Sequence, residues 1–332
     1  MIRLLAMLLL IGQLSAGEAA RSVPLAIDRG LAWLRTQQQA DGSVGDKHRT
    51  ATTGLAALAH LAAGTTPDLP EHGSAVRRML TYLVGRADGN GYMGADGRGM
   101  YGHAIACIAL ADAIGTTRDD DLDERMRSTL VRAMAVIVAA ARVGKDDANR
   151  GGWRYNPDEA TSDASVTGWQ LVALHAARRL GLAVPDDVVN GALSYLRRLM
   201  SADGRIGYTN PNEDRPTLRG LALLTLAMTG GVRDPLRDKV LARMNDEPIS
   251  WTGPWFFYRA YYDAVGLARS EPAAWPVHRE RLYGLLIANQ GADGSWPAPP
   301  GDNEREYGVA YSNAMALLAL TVDRRLLPAH QP

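Results

Sequence analysis

Apolar positions along this chain fall into two kinds of segment that take turns. In the first kind one side is apolar and the other polar. From Val188 to Met200, Tyr195, Leu196 and Leu199 share one side while Arg197 and Arg198 lie opposite, as in a helix with one face in a core and one in water. The second kind is small and apolar nearly all round: ATTGLAALAHLAAG from Ala51, YGHAIACIALADAIG from Tyr101, SVTGWQLVALHAARRLG from Ser165, LRGLALLTLAMTGG from Leu218, WFFYRAYYDAVGLA from Trp255 and VAYSNAMALLAL from Val309. Such helices belong inside, where small side chains let backbones approach. Gly64, Gly115, Gly181 and Gly230 are placed to stop four of them. Strand-like alternation is almost absent.

The two kinds alternate six times with a period of about 50 residues. Within each unit a turn rich in Asp and Gly joins the one-sided helix to the apolar one. The fullest copies are Arg281-Leu-Tyr283 through Gln290 to Asp293-Gly294-Ser-Trp296, and Arg29-Gly30-Leu-Ala-Trp33 through Gln39 to Asp41-Gly42-Ser-Val44. Weaker copies pass through Tyr82 to Tyr92, Arg132 to Trp153, and Tyr195 to Tyr208. Six pairs of this kind predict an all-α fold, an (α/α)6 barrel in which six inner helices are ringed by six outer ones. An open stack of the same pairs is the competing arrangement.

Met1 to Ala20 stands apart. One basic residue, Arg3, precedes an apolar run from Leu4 to Ile11, and small residues end at Gly17-Glu-Ala19. The reading is a secretory signal over 1–20, cleaved to leave a single toroid domain over 21–332, exported to the periplasm or the exterior. No later run approaches the roughly 20 apolar residues of a membrane span. The 36 basic and 36 acidic residues cancel, so no general field favours nucleic acid or an anionic membrane surface. Cys107 is the only cysteine, which excludes an intrachain disulfide and a multi-cysteine zinc site.

The turn pattern, basic residue, aromatic-aliphatic core, Gln, then Gly-x-Trp, resembles the QW motif of squalene and oxidosqualene cyclases. The whole chain after the signal resembles the squalene-cyclase/prenyltransferase repeat superfamily of α/α toroids. That resemblance implies structural work for Gln39, Gln290, Trp153 and Trp296. It also implies an acid: class II cyclases protonate an alkene with an Asp-x-Asp-Asp-Thr motif, whose central Asp is the donor. Here the matching stretch is Asp163-Ala-Ser165-Val166-Thr167. Asp163 and Thr167 match, Ser165 replaces the donor, and a serine hydroxyl cannot protonate an isolated alkene. In the prenyltransferase branch zinc is held partly by Asp-x-Cys, but Ile105 stands two residues before Cys107. No metal and no cofactor is expected.

Other motifs reduce to structure. Gly89-Asn-Gly91-Tyr-Met-Gly94 spells a dinucleotide fingerprint without its strand-turn-helix context. Asp119-Asp120-Asp121-Leu-Asp123 reads as acids at a helix start. If the inner helices all begin at one end of the barrel, Tyr101, His103, Asp163, Thr167, Arg219, Trp255, Tyr258, Tyr262, Tyr307 and Tyr311 gather round its mouth. Asp163 and His103 are the catalytic candidates there and the rest are candidate ligand contacts. The expectation is a toroid that binds an apolar or extended ligand (isoprenoid, lipid or glycan) or a protein partner. The alternatives are a polysaccharide hydrolase or lyase pairing Asp163 with Asp263 or Glu306, and a cyclase or isomerase with a displaced acid.

Overall fold

The computed structural model describes residues 16–96, 99–229 and 234–327, with side chains from Ser22 onward. Most of the expected signal, residues 1–15, and the helix stop at Gly230 lie outside the described residues. Twelve helices are found there and no strand, only three isolated bridges at the turns. Outer helices α1 (Ala16–Thr36), α3 (Gly73–Gly85), α5 (Asp120–Ala141), α7 (Asp186–Arg198), α9 (Pro235–Asp246) and α11 (Trp275–Ala288) alternate with inner ones. The inner set is α2 (Arg49–Ala62), α4 (Met100–Ala113), α6 (Ala164–Arg179), α8 (Arg219–Met228), α10 (Phe256–Ser270) and α12 (Val309–Thr321). Thr50 to Ala62 are all buried in α2, whereas α7 buries one stripe, including Val189, Leu193 and Leu196, and keeps Arg197 and Arg198 outside. The two hydrophobic patterns thus sort into an inner and an outer layer, the (α/α)6 barrel.

The ring is closed. In the inner layer α2 packs against α4 and α12, α4 against α6, and α10 against both α8 and α12. First and last units are stitched together where Gln290 donates to the Ala26 carbonyl at 2.9 Å, Asn313 to that of Gly30 at 2.9 Å, and Arg29 to those of Gly291 and Ala292 at 2.8 and 2.9 Å. Trp296, fully buried, lies against Gly30 and donates from its indole to the Leu286 carbonyl at 2.7 Å. Trp153 does the same toward Ile137 at 3.0 Å. An open stack has no such contacts between its ends.

The turns repeat one device. Gly42 and Gly294 have φ of +91° and +93°, and a Cβ there would sit 2.4 Å from the Arg78 carbonyl oxygen and 2.5 Å from that of Arg29. Each turn therefore presses bare backbone on the next outer helix, and only glycine fits. Superposing the two turns on these glycines puts Gln290 opposite Gln38, not Gln39. Gln38 donates to the Ala75 carbonyl of the next outer helix at 2.9 Å, while Gln39 reaches only Gln37. The tie expected of Gln39 thus belongs to its neighbour.

Five of the six neighbouring inner pairs pack along their length. The sixth, α6 with α8, meets where Leu221 lies against Gly168. α8 is also the shortest of the inner set, with 10 residues against 16 in α6 and 15 in α10, although it packs closely along α10.

Candidate functional site

All six inner helices begin at the same end of the ring, and the first turns of five of them, with the segment leading into α8, surround a cavity of about 570 Å³, inside the roughly 300–1,000 Å³ range of small-molecule sites. Its wall takes Ala51 and Leu55 from α2, Tyr101 and Ile105 from α4, Ser165 and Trp169 from α6, Tyr258 from α10 and Tyr311 from α12. Residues four apart share a helix face, so each of the first three helices gives one residue at the rim and one a turn deeper. Loops supply His48, Tyr155, Tyr208, Asp214, Arg215, Trp255, Asn303 and Tyr307. Six of the chain's 12 tyrosines face this one space.

Two buried carboxylates stand behind the wall. Asp163 is the N-cap of α6, accepting from the Val166 amide at 2.8 Å and the Ser165 hydroxyl at 2.7 Å, with the Arg154 guanidinium 3.6 Å from its second oxygen. Burial raises its pKa, although these bonds and Arg154 oppose the shift. Ser165 in turn bonds the Tyr101 hydroxyl. Because the one proton of Ser165 goes to Asp163, Tyr101 must donate to Ser165, and its oxygen offers the cavity lone pairs only. Burial, with Asp163 nearby, pushes the Tyr101 phenol well above its usual range and keeps it protonated.

Glu304 repeats the arrangement across the mouth. It accepts from the Phe257 and Tyr258 amides at 2.7 and 2.8 Å, closing the N-terminus of α10, and from the Tyr311 hydroxyl at 2.9 Å. Burial lifts its pKa to about 7. Asp302 takes the Trp255 and Phe256 amides, both at 3.2 Å, and so helps hold Trp255 at a φ of 53° with its ring against Tyr307. The Tyr258 ring lines the wall while its hydroxyl is buried beside that of Tyr262, a turn below.

Of the expected mouth residues, Tyr101, Trp255, Tyr258, Tyr307 and Tyr311 come together here. Asp163 stands one residue behind the wall, reaching it through Ser165. The structure turns the others elsewhere. His103 is fully buried between the Met93 amide at 3.2 Å and the Ala133 carbonyl at 3.0 Å, and burial lowers its pKa to about 4. Thr167 accepts from the Trp153 amide at 3.0 Å, as Thr53 accepts from Val44 at 2.9 Å, tying turn to inner helix. Arg219 is buried between Asp214 at 3.1 Å and Glu247 at 2.8 Å. Tyr262 lies a turn below Tyr258, under Trp169.

The carboxylates expected to pair with Asp163 are also elsewhere. Asp263 is buried within α10 against Arg259 at 3.1 Å, its pKa raised by burial to about 6, and Glu306 is exposed outside the wall. Asp214 is the one lining carboxylate among the described residues, and Arg219 and Arg243 hold it. The Asp119 to Asp123 run is used in capping α5 and in pairs with Arg77 and Arg125. Sequence reasoning missed Ser165, Trp169, Tyr155, Tyr208, His48, Asp214, Arg215 and Asn303. For Trp169 a signal existed, its place four residues after Ser165.

No protein-family model matches the sequence, and no curated protein matches it. Solved structures do match in shape. The type II terpene cyclase MstE from Scytonema, in its apo form, superposes with a TM-score of 0.58 at 16% identity, covering 92% of this chain and 99% of its own. A glycosidase gives 0.58 at 14% identity over 96% and 100%. A protein from Actinoplanes gives 0.56 at 19% over 91% and 99%. The relation is one of fold. The chain shares the α/α toroid with enzymes of two different chemistries, and MstE has also been seen with geranylgeranyl dihydroxybenzoate, its substrate.

Proposed function

We propose that the protein binds an apolar ligand of the isoprenoid class, with a hydroxyl-bearing head, in the aromatic mouth of the ring, and does not cyclise it by protonation. The observation that carries this reading is the wall itself: six tyrosines and two tryptophans around one cavity. Aromatic faces suit an isoprenoid chain. The oxygens of Tyr101 and Tyr311 have their protons committed inward and suit a ligand that donates. Ser165 stands where a cyclase-like acid would stand, and Asp163 behind it is shut off from an alkene. The ligand class is supported by the toroid neighbour seen in complex with geranylgeranyl dihydroxybenzoate. The glycan reading is weaker, because it needs two opposed carboxylates at the wall and Asp214 stands alone.

The test is titration with geranylgeraniol, followed by tryptophan fluorescence, since Trp169 and Trp255 line the cavity. Saturable quenching that is reduced in Trp255→Ala, with the remainder reported by Trp169, is expected. In the Tyr101→Phe, Tyr311→Phe double variant, affinity should drop by roughly tenfold, at about 1 kcal/mol per hydrogen bond. No saturable response to geranylgeraniol, together with extracted native protein free of isoprenoid by mass spectrometry, would sink the proposal.

A further inference from the structure

A second cavity, also about 570 Å³, opens at the opposite end of the ring, between the last turns of α6, α8 and α10. It exists because α8 stops at Met228 while α6 and α10 run on past it. Its lining mixes apolar residues, Leu171, Val189, Leu193, Ala227 and Met228, with Arg178, Arg237, Arg269 and His175, and Leu171, His175 and Arg178 follow one another along one face of α6.

The arginines are not equivalent. Helix C-termini attract cations, which accounts for their gathering here, and two of them are committed. Arg178 pairs with Asp186 and donates to the Val184 carbonyl at 3.0 Å. Arg237 pairs with Glu271 at 2.7 Å and donates to the Ser270 carbonyl closing α10. Arg269 has no carboxylate within ion-pair distance among the described residues; its neighbour is His175 Nε2 at 3.4 Å. Burial and the positive charge of Arg179 both lower its pKa. A half-buried guanidinium so placed gains from a bidentate oxyanion.

We infer that this far cavity is a binding site for a single-chain carboxylate, its head on Arg269 and its hydrocarbon chain along Val189, Leu193, Ala227 and Met228. A carboxylate matches the planar fork of one arginine, and the apolar side chains of the lining give an alkyl chain somewhere to lie. The site is separate from the mouth and does not depend on what the mouth binds.

Isothermal titration of the full chain with laurate and with methyl laurate, the same chain with neither the charge nor a hydroxyl to donate to the mouth, tests it. Laurate should bind with one site at least tenfold more tightly than methyl laurate, and added salt should weaken it. Arg269→Gln should abolish the difference, Arg269→Lys should restore part of it, and Trp255→Ala at the other end should leave it intact. Equal affinity for laurate and methyl laurate in the wild type would overturn the inference, and that comparison stands even if Arg269→Gln does not fold. Loss of laurate binding in folded Trp255→Ala would overturn it too, by moving the site to the mouth.

Discussion

Ser165 joins the carboxylate of Asp163 to the phenol of Tyr101, and this connection fixes which way Tyr101 can bond. Removing the hydroxyl in Ser165→Ala frees the Tyr101 proton. The variant should lose about 1 kcal/mol of stability and shift preference from geranylgeraniol toward geranylgeranial, whose carbonyl only accepts. Competition between the two for tryptophan quenching measures it, and an unchanged preference would remove Ser165 from the argument. At this scale the sequence was legible for rim aromatics and illegible for orientation. His103 and Thr167 lie two residues beyond Tyr101 and Ser165, and two residues turn a helix by about 200°, so they face neighbouring turns. Which residue of a first turn faces inward follows from how its helix is rotated in the ring, and near-uniform apolarity in α4 and α12 hides that rotation.

Elements are held in order by the turns. Gly294 sits at φ +93° with its missing Cβ aimed at the Arg29 carbonyl, at the junction of last unit and first. Gly294→Ala should cost at least about 1–3 kcal/mol from the backbone conformation alone, read as a lower urea midpoint. Gly115→Ala is the control, with a similar φ of +82° and open space around it, and should cost less. Equal losses would mean that the close approach contributes nothing. The helices and their pairing were readable because two hydrophobic periods alternate. The loop residues of the mouth were not, because Tyr155 and Arg215 follow no period and the place of Tyr208 at the end of a repeat copy does not say that it faces the mouth. Their positions come from long-range bonds, such as Tyr155 to Tyr208 at 2.7 Å and the Arg215 amide to the Ile206 carbonyl at 2.8 Å.

Across the whole molecule, buried titrating groups pull stability in opposite directions with pH. Glu304 rises from 4.5 to about 7 and Asp263 from 3.8 to about 6, so their contributions are complete below the unfolded values and lost as pH climbs through the folded ones. His103 falls from 6.5 to about 4 and His60 from 6.5 to about 3, so theirs are complete above 6.5 and lost as pH drops. Glu304→Gln should therefore flatten the decline in unfolding free energy between pH 5 and 8, by up to roughly 3 kcal/mol. Parallel wild-type and variant curves in urea would show that Glu304 does not titrate there. The closed ring itself could be foreseen from the count of six units, whereas the far cavity could not, because it arises from the unequal lengths of two helices that are neighbours only in space.

That inequality reaches beyond ligand binding. A ring has no ends to fray, so when it breathes it must part at a joint, and the joint with the least shared surface is the one between α6 and α8. Amide hydrogens of α8 should then exchange with solvent sooner than those of α2 or α4, whose neighbours grip them along their whole length. Uniform protection round the ring would disprove this. If the difference is found, the short helix acts as the clasp of a bracelet, the place where the chain opens without coming apart.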